Sequence, residues 1–109
     1  MLSLPKSTTK VIILAAGDGK RMKSSVPKVM TLFRGRPLIE YVVETVEALG
    51  LGKPLVVVSP KHTFVQNHLG DRAEYVVQQE QLGTGHAVAC AELVLSHQVE
   101  HIVVLYGDM

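Results

Sequence analysis

Cysteine is nearly absent from this chain. A single Cys90 among 109 residues leaves no partner for an intramolecular disulfide and no cysteine-based metal cluster. A reducing, cytoplasmic compartment fits that usage. Cys90 falls in a stretch with helical spacing, where a small buried hydrophobe is the expected role. An excess of one charge is also lacking: 11 Lys and Arg against 10 Asp and Glu give a net charge of +1, so no global basic field points to nucleic acid. No apolar run approaches the length of a membrane span. The opening MLSLPKSTTK has neither a sustained apolar core nor a small-residue cleavage site, and reads as a frayed lead-in to a first strand rather than a signal peptide. There is no internal repeat, low-complexity tract or linker. His62, His68, His86, His97 and His101 show no metal-ligand spacing with acidic residues, and read as surface or cap positions; for His86, which follows Gly85 near a helix start, an approach to a ligand stays open without being the favoured reading. Asp71, Arg72 and Glu92 read as solvated faces.

What is present suits one small globular domain, 47% hydrophobic and 19% charged. Lys10 to Ala15, KVIILA, is a continuous run of the kind buried on both faces of a sheet, and it stops at a glycine. Pro37 suits a first helical position, Leu38, Tyr41, Val42, Thr45, Val46 and Leu49 recur at three- and four-residue steps, and Gly50 is placed to end that helix. Leu55 to Ser59 reads as a second strand, Thr63 to Leu69 as a short helix, Glu74 to Val77 as a third strand, and His101 to Leu105 as a fourth. A third helix is expected over Thr84 to Leu95, carrying Ala87, Val88, Ala91, Val94 and Leu95 inward. Val29 to Arg36 reads as a short strand turning at Gly35. The alternation predicts an α/β fold: a Rossmann-like, mostly parallel sheet with right-handed crossovers and helices on both faces.

In such sheets ligands bind beyond the carboxyl ends of the strands, which singles out Ala16 to Lys28, Gln78 to Thr84 and Tyr106 to Asp108. In the first, Gly17 and Gly19 let backbone N–H groups approach an anion closely. Arg21 offers a fork of donors to phosphate oxygens and Lys28 a point charge, while Pro27 stiffens the approach to Lys28. The dinucleotide fingerprint fails, because its third glycine would fall at Met22, and no Walker loop is present.

Leu14-Ala15-Ala16-Gly17-x-Gly19-x-Arg21-Met22 followed by Pro27-Lys28 resembles the signature of the sugar-1-phosphate nucleotidyltransferases. Pro37-Leu38 also fits, although position 20 is Lys where that family usually carries Thr or Ser. Gln78-x-Glu80-Gln81-Leu82-Gly83-Thr84-Gly85-His86-Ala87 is similar to its N-acetylglucosamine-1-phosphate uridylyltransferase branch, and Tyr106-Gly107-Asp108 to its metal-bearing segment. The resemblance runs from about Lys10 to the last residue, and implies the N-terminal, nucleotide-binding portion of a nucleotidyltransferase domain. Family members continue beyond this point with a sugar pocket, a second metal-holding residue and further strands, so an open sheet edge with uncovered apolar surface is expected here.

The resemblance further implies an activity that joins UTP to a sugar 1-phosphate with Mg²⁺ as cofactor. Leu14, Ala15, Ala16, Gly17 and Gly19 would line the nucleotide together with Tyr106. Gln78 would meet the uracil edge, Gln81 would support its loop, Gly83 would contribute backbone, and Thr84 would close the pocket. Arg21 and Lys28 would hold phosphates as the catalytic cations, and Asp108 would bind the metal. It implies no nucleic-acid or membrane partner, cytoplasmic localisation and a possible homo-oligomer of the full-length protein. Two alternatives stay open: a non-catalytic nucleotide-binding module, and a nucleotidyltransferase for another sugar or base.

Overall fold

Valine and isoleucine runs form the centre of the molecule, because β-branched side chains pack well on a pleated surface buried on both sides. In the computed structural model, which describes residues 8–17, 27–95 and 98–108, β1 (Thr9–Leu14), β4 (Leu55–Val58), β5 (Glu74–Val77) and β6 (His101–Tyr106) make one sheet. Its order is β5-β4-β1-β6 and every pairing is parallel. A two-stranded antiparallel hairpin, β2 (Leu32–Phe33) and β3 (Arg36–Pro37), lies apart from it. The helices are α1 (Leu38–Leu49), α2 (Phe64–Leu69) and α3 (Thr84–Glu92), with single 3₁₀ turns at Lys28–Met30 and Gly70–Arg72.

Successive strand residues point to opposite faces, and the core divides accordingly. Val11 and Ile13 of β1 join Val56 and Val58 of β4 against Ile39, Val43 and Val46 of α1 and Val65 and Leu69 of α2. The intervening Ile12, Leu55 and Val57 meet Ala87 and Ala91 of α3 on the other face. The expected parallel sheet with helices on both faces is therefore the observed one.

Several boundaries differ from the sequence expectation. Pro37 is not the first helical residue: with ψ at 145° it stays extended, because it pairs with Leu32 in the hairpin, and α1 begins at Leu38. Arg34 and Gly35, both at positive φ (54° and 79°), make the two-residue turn whose twist suits a hairpin. Gly50, at φ 68°, caps α1 as expected. α3 ends at Glu92 rather than Leu95. The Val94 and Leu95 N–H groups bond three residues back, to Ala91 and Glu92, and Val94 is exposed rather than inward.

One ion-pair cluster fastens α1 to the segment after α2. Glu40 is buried on α1 and accepts two bonds from Arg72, Nη1 to Oε1 at 2.9 Å and Nη2 to Oε2 at 2.7 Å. His68 Nε2 lies 2.7 Å from Glu40 Oε1, and Arg72 Nε also donates to Glu47 at 3.1 Å. Arg72 is thus not a solvated face. Its hydrogen bonds outweigh the effect of burial and hold the Glu40 carboxyl at about 2, against an ordinary 4.5. The same bonds raise the Arg72 guanidinium above its ordinary value.

Candidate functional site

The chain visits β1, β4 and β5 in turn along one side of the sheet, then crosses to place β6 on the other side of β1. Where a parallel sheet reverses its winding, the loops at the strand ends diverge and leave a crevice. A cavity of about 360 Å³ opens there, at the carboxyl ends of β1 and β6 and under the start of α3. All three stretches singled out in the sequence reach it.

The first stretch contributes Ala16, Gly17 and Lys28, flanked by Leu14 at the end of β1 and Val29 of the 3₁₀ turn. Ala15 is buried and does not line the cavity; its N–H instead donates to the Val57 carbonyl at 2.9 Å. Gly19 and Arg21 lie outside the described residues.

The second stretch starts where β5 ends. The Gln78 N–H still bonds to the Val58 carbonyl at 2.9 Å, which fixes its backbone, and its side chain is buried yet lines the cavity. Gln78 Nε2 sits 2.9 Å from His86 Nδ1 and donates to the Gly83 carbonyl at 3.4 Å. Gly83 has φ 99°, a conformation that excludes most side chains, and it turns the chain directly into Thr84 and α3. Gln81 Nε2 donates to the Ala16 carbonyl, so this stretch is tied to the first across the cavity.

The third stretch is held against β1 by the Gly107 N–H, which donates to the Leu14 carbonyl at 3.0 Å. Tyr106 and Asp108 flank it and line the cavity. Asp108 Oδ2 is 3.0 Å from Lys28 Nζ, so one cation and one carboxylate from distant parts of the chain meet at the same opening.

Val29 and Ala87 complete the walls; the sequence placed Ala87 on the third helix as a packing residue and gave neither a part in the site. His86, read from the sequence as a surface or cap position with an approach to the ligand left open by its place near a helix start, is half-buried and bonded to the cavity residue Gln78. Cys90, one turn further along α3, is half-buried with its Sγ 3.9 Å from His86 Nε2. Among the described residues no group of three or more His, Cys, Asp or Glu could hold a metal ion, and no helix is long and apolar enough to cross a membrane.

Residues 11–109 match the family described as the MobA-like NTP transferase domain. The chain is 46% identical over 97 residues to the bifunctional protein GlmU of Heliobacterium modesticaldum, an alignment that takes in 89% of this chain and 21% of that protein. It is 47% identical to GlmU of Streptococcus agalactiae over the same shares. The chain therefore spans about a fifth of the length of the curated relatives it matches. Among solved structures, UDP-glucose pyrophosphorylase from Acinetobacter baumanii superposes with a TM-score of 0.77 at 26% identity, over 92% of this chain and 45% of that one. HddC from Yersinia pseudotuberculosis superposes with a TM-score of 0.70 at 28% identity, over 91% of this chain and 47% of that one.

Proposed function

This chain belongs to the MobA-like NTP transferase domain family, and from that premise we propose that it is the nucleotide-binding part of a sugar-1-phosphate uridylyltransferase. The reaction transfers UMP from UTP to N-acetylglucosamine 1-phosphate and releases pyrophosphate. The observation that carries this reading is the convergence of Gln78, Lys28 and Asp108 on one cavity at the point where the sheet reverses. The resemblance of Gln78 to Ala87 to the N-acetylglucosamine-1-phosphate uridylyltransferase branch supports the choice of nucleotide and sugar.

A sugar phosphate oxygen attacks the α-phosphorus of UTP in line. That nucleophile is already an anion, so a strong general base is not required, and positioning and charge neutralisation carry the step. Gln78, Gly83 and Thr84 would hold the base and ribose side of the nucleotide, and Leu14, Ala16, Gly17 and Tyr106 would form the remaining walls. Lys28 would turn from Asp108 to the phosphates, and the family signature gives Arg21 the same task. Asp108 is a hard oxygen donor of the type magnesium takes singly, with phosphates and water completing its shell. It fits such an ion once Lys28 has moved off Oδ2. Magnesium, when bound there, supplies further neutralisation of the triphosphate. These 109 residues, which span about a fifth of the length of the curated relatives, are expected to bind UTP weakly with magnesium and to turn over negligibly on their own.

Calorimetry with UTP, CTP and dTTP in the presence of magnesium tests this reading. UTP is expected to bind most tightly, and Gln78→Ala to weaken it by about tenfold, ~1.4 kcal/mol, on the scale of one lost hydrogen bond. UTP affinity and preference unchanged in Gln78→Ala would contradict the base-reading role.

A further inference from the structure

We infer that His86 is a positioning residue that sets the base preference of the cavity. Its neutral imidazole, unprotonated at Nδ1, holds the Gln78 amide with nitrogen inward and leaves only the carbonyl oxygen for a ligand. The inference rests on reading the cavity as a nucleotide site.

The geometry of one amide carries the argument. Gln78 is only 4% exposed, and its Nε2 has two polar neighbours, His86 Nδ1 at 2.9 Å and the Gly83 carbonyl oxygen at 3.4 Å. A backbone carbonyl can only accept. The amide atom facing it must therefore be the donor, because turning the amide over would set two oxygens against each other. With Nε2 donating, His86 Nδ1 must accept at the shorter contact, and the imidazole proton then resides on Nε2. The Cys90 thiol lies 3.9 Å from the His86 Nε2 and 4.0 Å from Nδ1, so it does not choose between them, and the amide contact does. Gly83 is itself fixed, since its carbonyl also accepts the Ala87 N–H at 3.1 Å as α3 begins.

An amide nitrogen carries two hydrogens, and both are directed at protein acceptors. What Gln78 retains for a ligand is Oε1, an acceptor. An acceptor pairs with a ring N–H of the kind that uracil and thymine carry at N3. Cytosine has an unprotonated N3 there, which would face the oxygen lone pairs. His86 does not line the cavity, and acts through Gln78. Without its Nδ1 the amide loses its nearer anchor and can present either end.

The test has two arms on the 109-residue chain. Long-range proton–nitrogen correlation spectra, at about pH 8 where an ordinary imidazole is neutral, are expected to show His86 protonated on Nε2 with a pyridine-like Nδ1. The opposite tautomer overturns the inference, whether or not nucleotide binds. The second arm measures UTP and CTP dissociation constants with magnesium for the wild type, His86→Leu and His86→Asn, whose side-chain oxygen can replace the Nδ1 acceptor. UTP is expected to be favoured about tenfold by the wild type. That preference should fall to within about twofold in His86→Leu, and return at least in part in His86→Asn. An undiminished preference in His86→Leu, or equal loss in Leu and Asn variants, overturns the role. If His86→Leu fails to fold, the tautomer and the Asn variant decide. A wild type that binds neither nucleotide refutes the nucleotide reading, and the base preference with it.

Discussion

At the carboxyl end of β6, a single hydrogen governs how closely the loop carrying Asp108 approaches β1. A Cβ on Gly107 would stand 3.1 Å from Val29 Cγ1 and 3.2 Å from the Leu14 carbonyl oxygen. Valine can yield a few tenths of an ångström. The Leu14 carbonyl cannot, because it accepts the Gly107 N–H. Gly107→Ala is therefore expected to cost about 1–2 kcal/mol, the scale of overpacking in a close-packed site, and to lower the urea midpoint without changing the slope. An unchanged midpoint would show that the loop yields freely. Only part of this was legible in the sequence: Tyr106-Gly107-Asp108 stood out as a motif, but close approach was read at Gly17, where a Cβ would meet nothing within 4 Å, and not at Gly107, where it would meet Val29 and Leu14. The tie of His86 to Gln78 was not legible, because a histidine in the first turn of a helix does not announce a glutamine eight residues earlier as its partner.

The Glu40 cluster is a device of whole elements, joining α1 to α2 and the turn that follows. Residues 28 and 32 positions apart in sequence meet there, so no local pattern gives the cluster away, and Arg72 reads as an ordinary surface cation until the helices are docked. Arg72 holds the Glu40 carboxyl at about 2, against an ordinary 4.5. As pH falls, the unfolded chain takes up the proton first. The stabilisation is thus complete above about 4.5, declines from there to about 2, and is absent below. Glu40→Gln is expected to lose about 2–3 kcal/mol near neutral pH, the scale of lost charged hydrogen bonds, with Arg72 keeping its bonds to Glu47. That deficit should shrink over the acid window in urea titrations, and one independent of pH would contradict the account. Strand positions fared better, because unbroken β-branched runs such as Val56 to Val58 have little alternative to a buried strand. The end of α3 misled, since Val94 and Leu95 keep helical spacing after the backbone has tightened out of the α-helix.

For the molecule as a whole, the decisive fact is the placement of β6 beside β1. Apolar runs declare that strands exist, but not which neighbours they choose; Ile12 pairing with both Leu55 and Val104 is a property of the assembled sheet. That order brings loops about ninety residues apart to one opening, which the sequence indicated only through the rule that ligands sit at carboxyl ends. β6 forms an edge of the sheet among the described residues and exposes Ile102, Val104 and Tyr106. The central claim is that the crevice at this reversal is the UTP site. An amide NMR titration with UTP and magnesium tests it most directly. The account predicts saturable shifts governed by one dissociation constant at Gly17, Gln78, Gly83, Thr84 and Gly107, with β5 near Glu74 and the turn at Arg34-Gly35 unmoved. Shifts scattered over the surface, or confined to the opposite ends of the strands around Lys10 and Glu74, would contradict it.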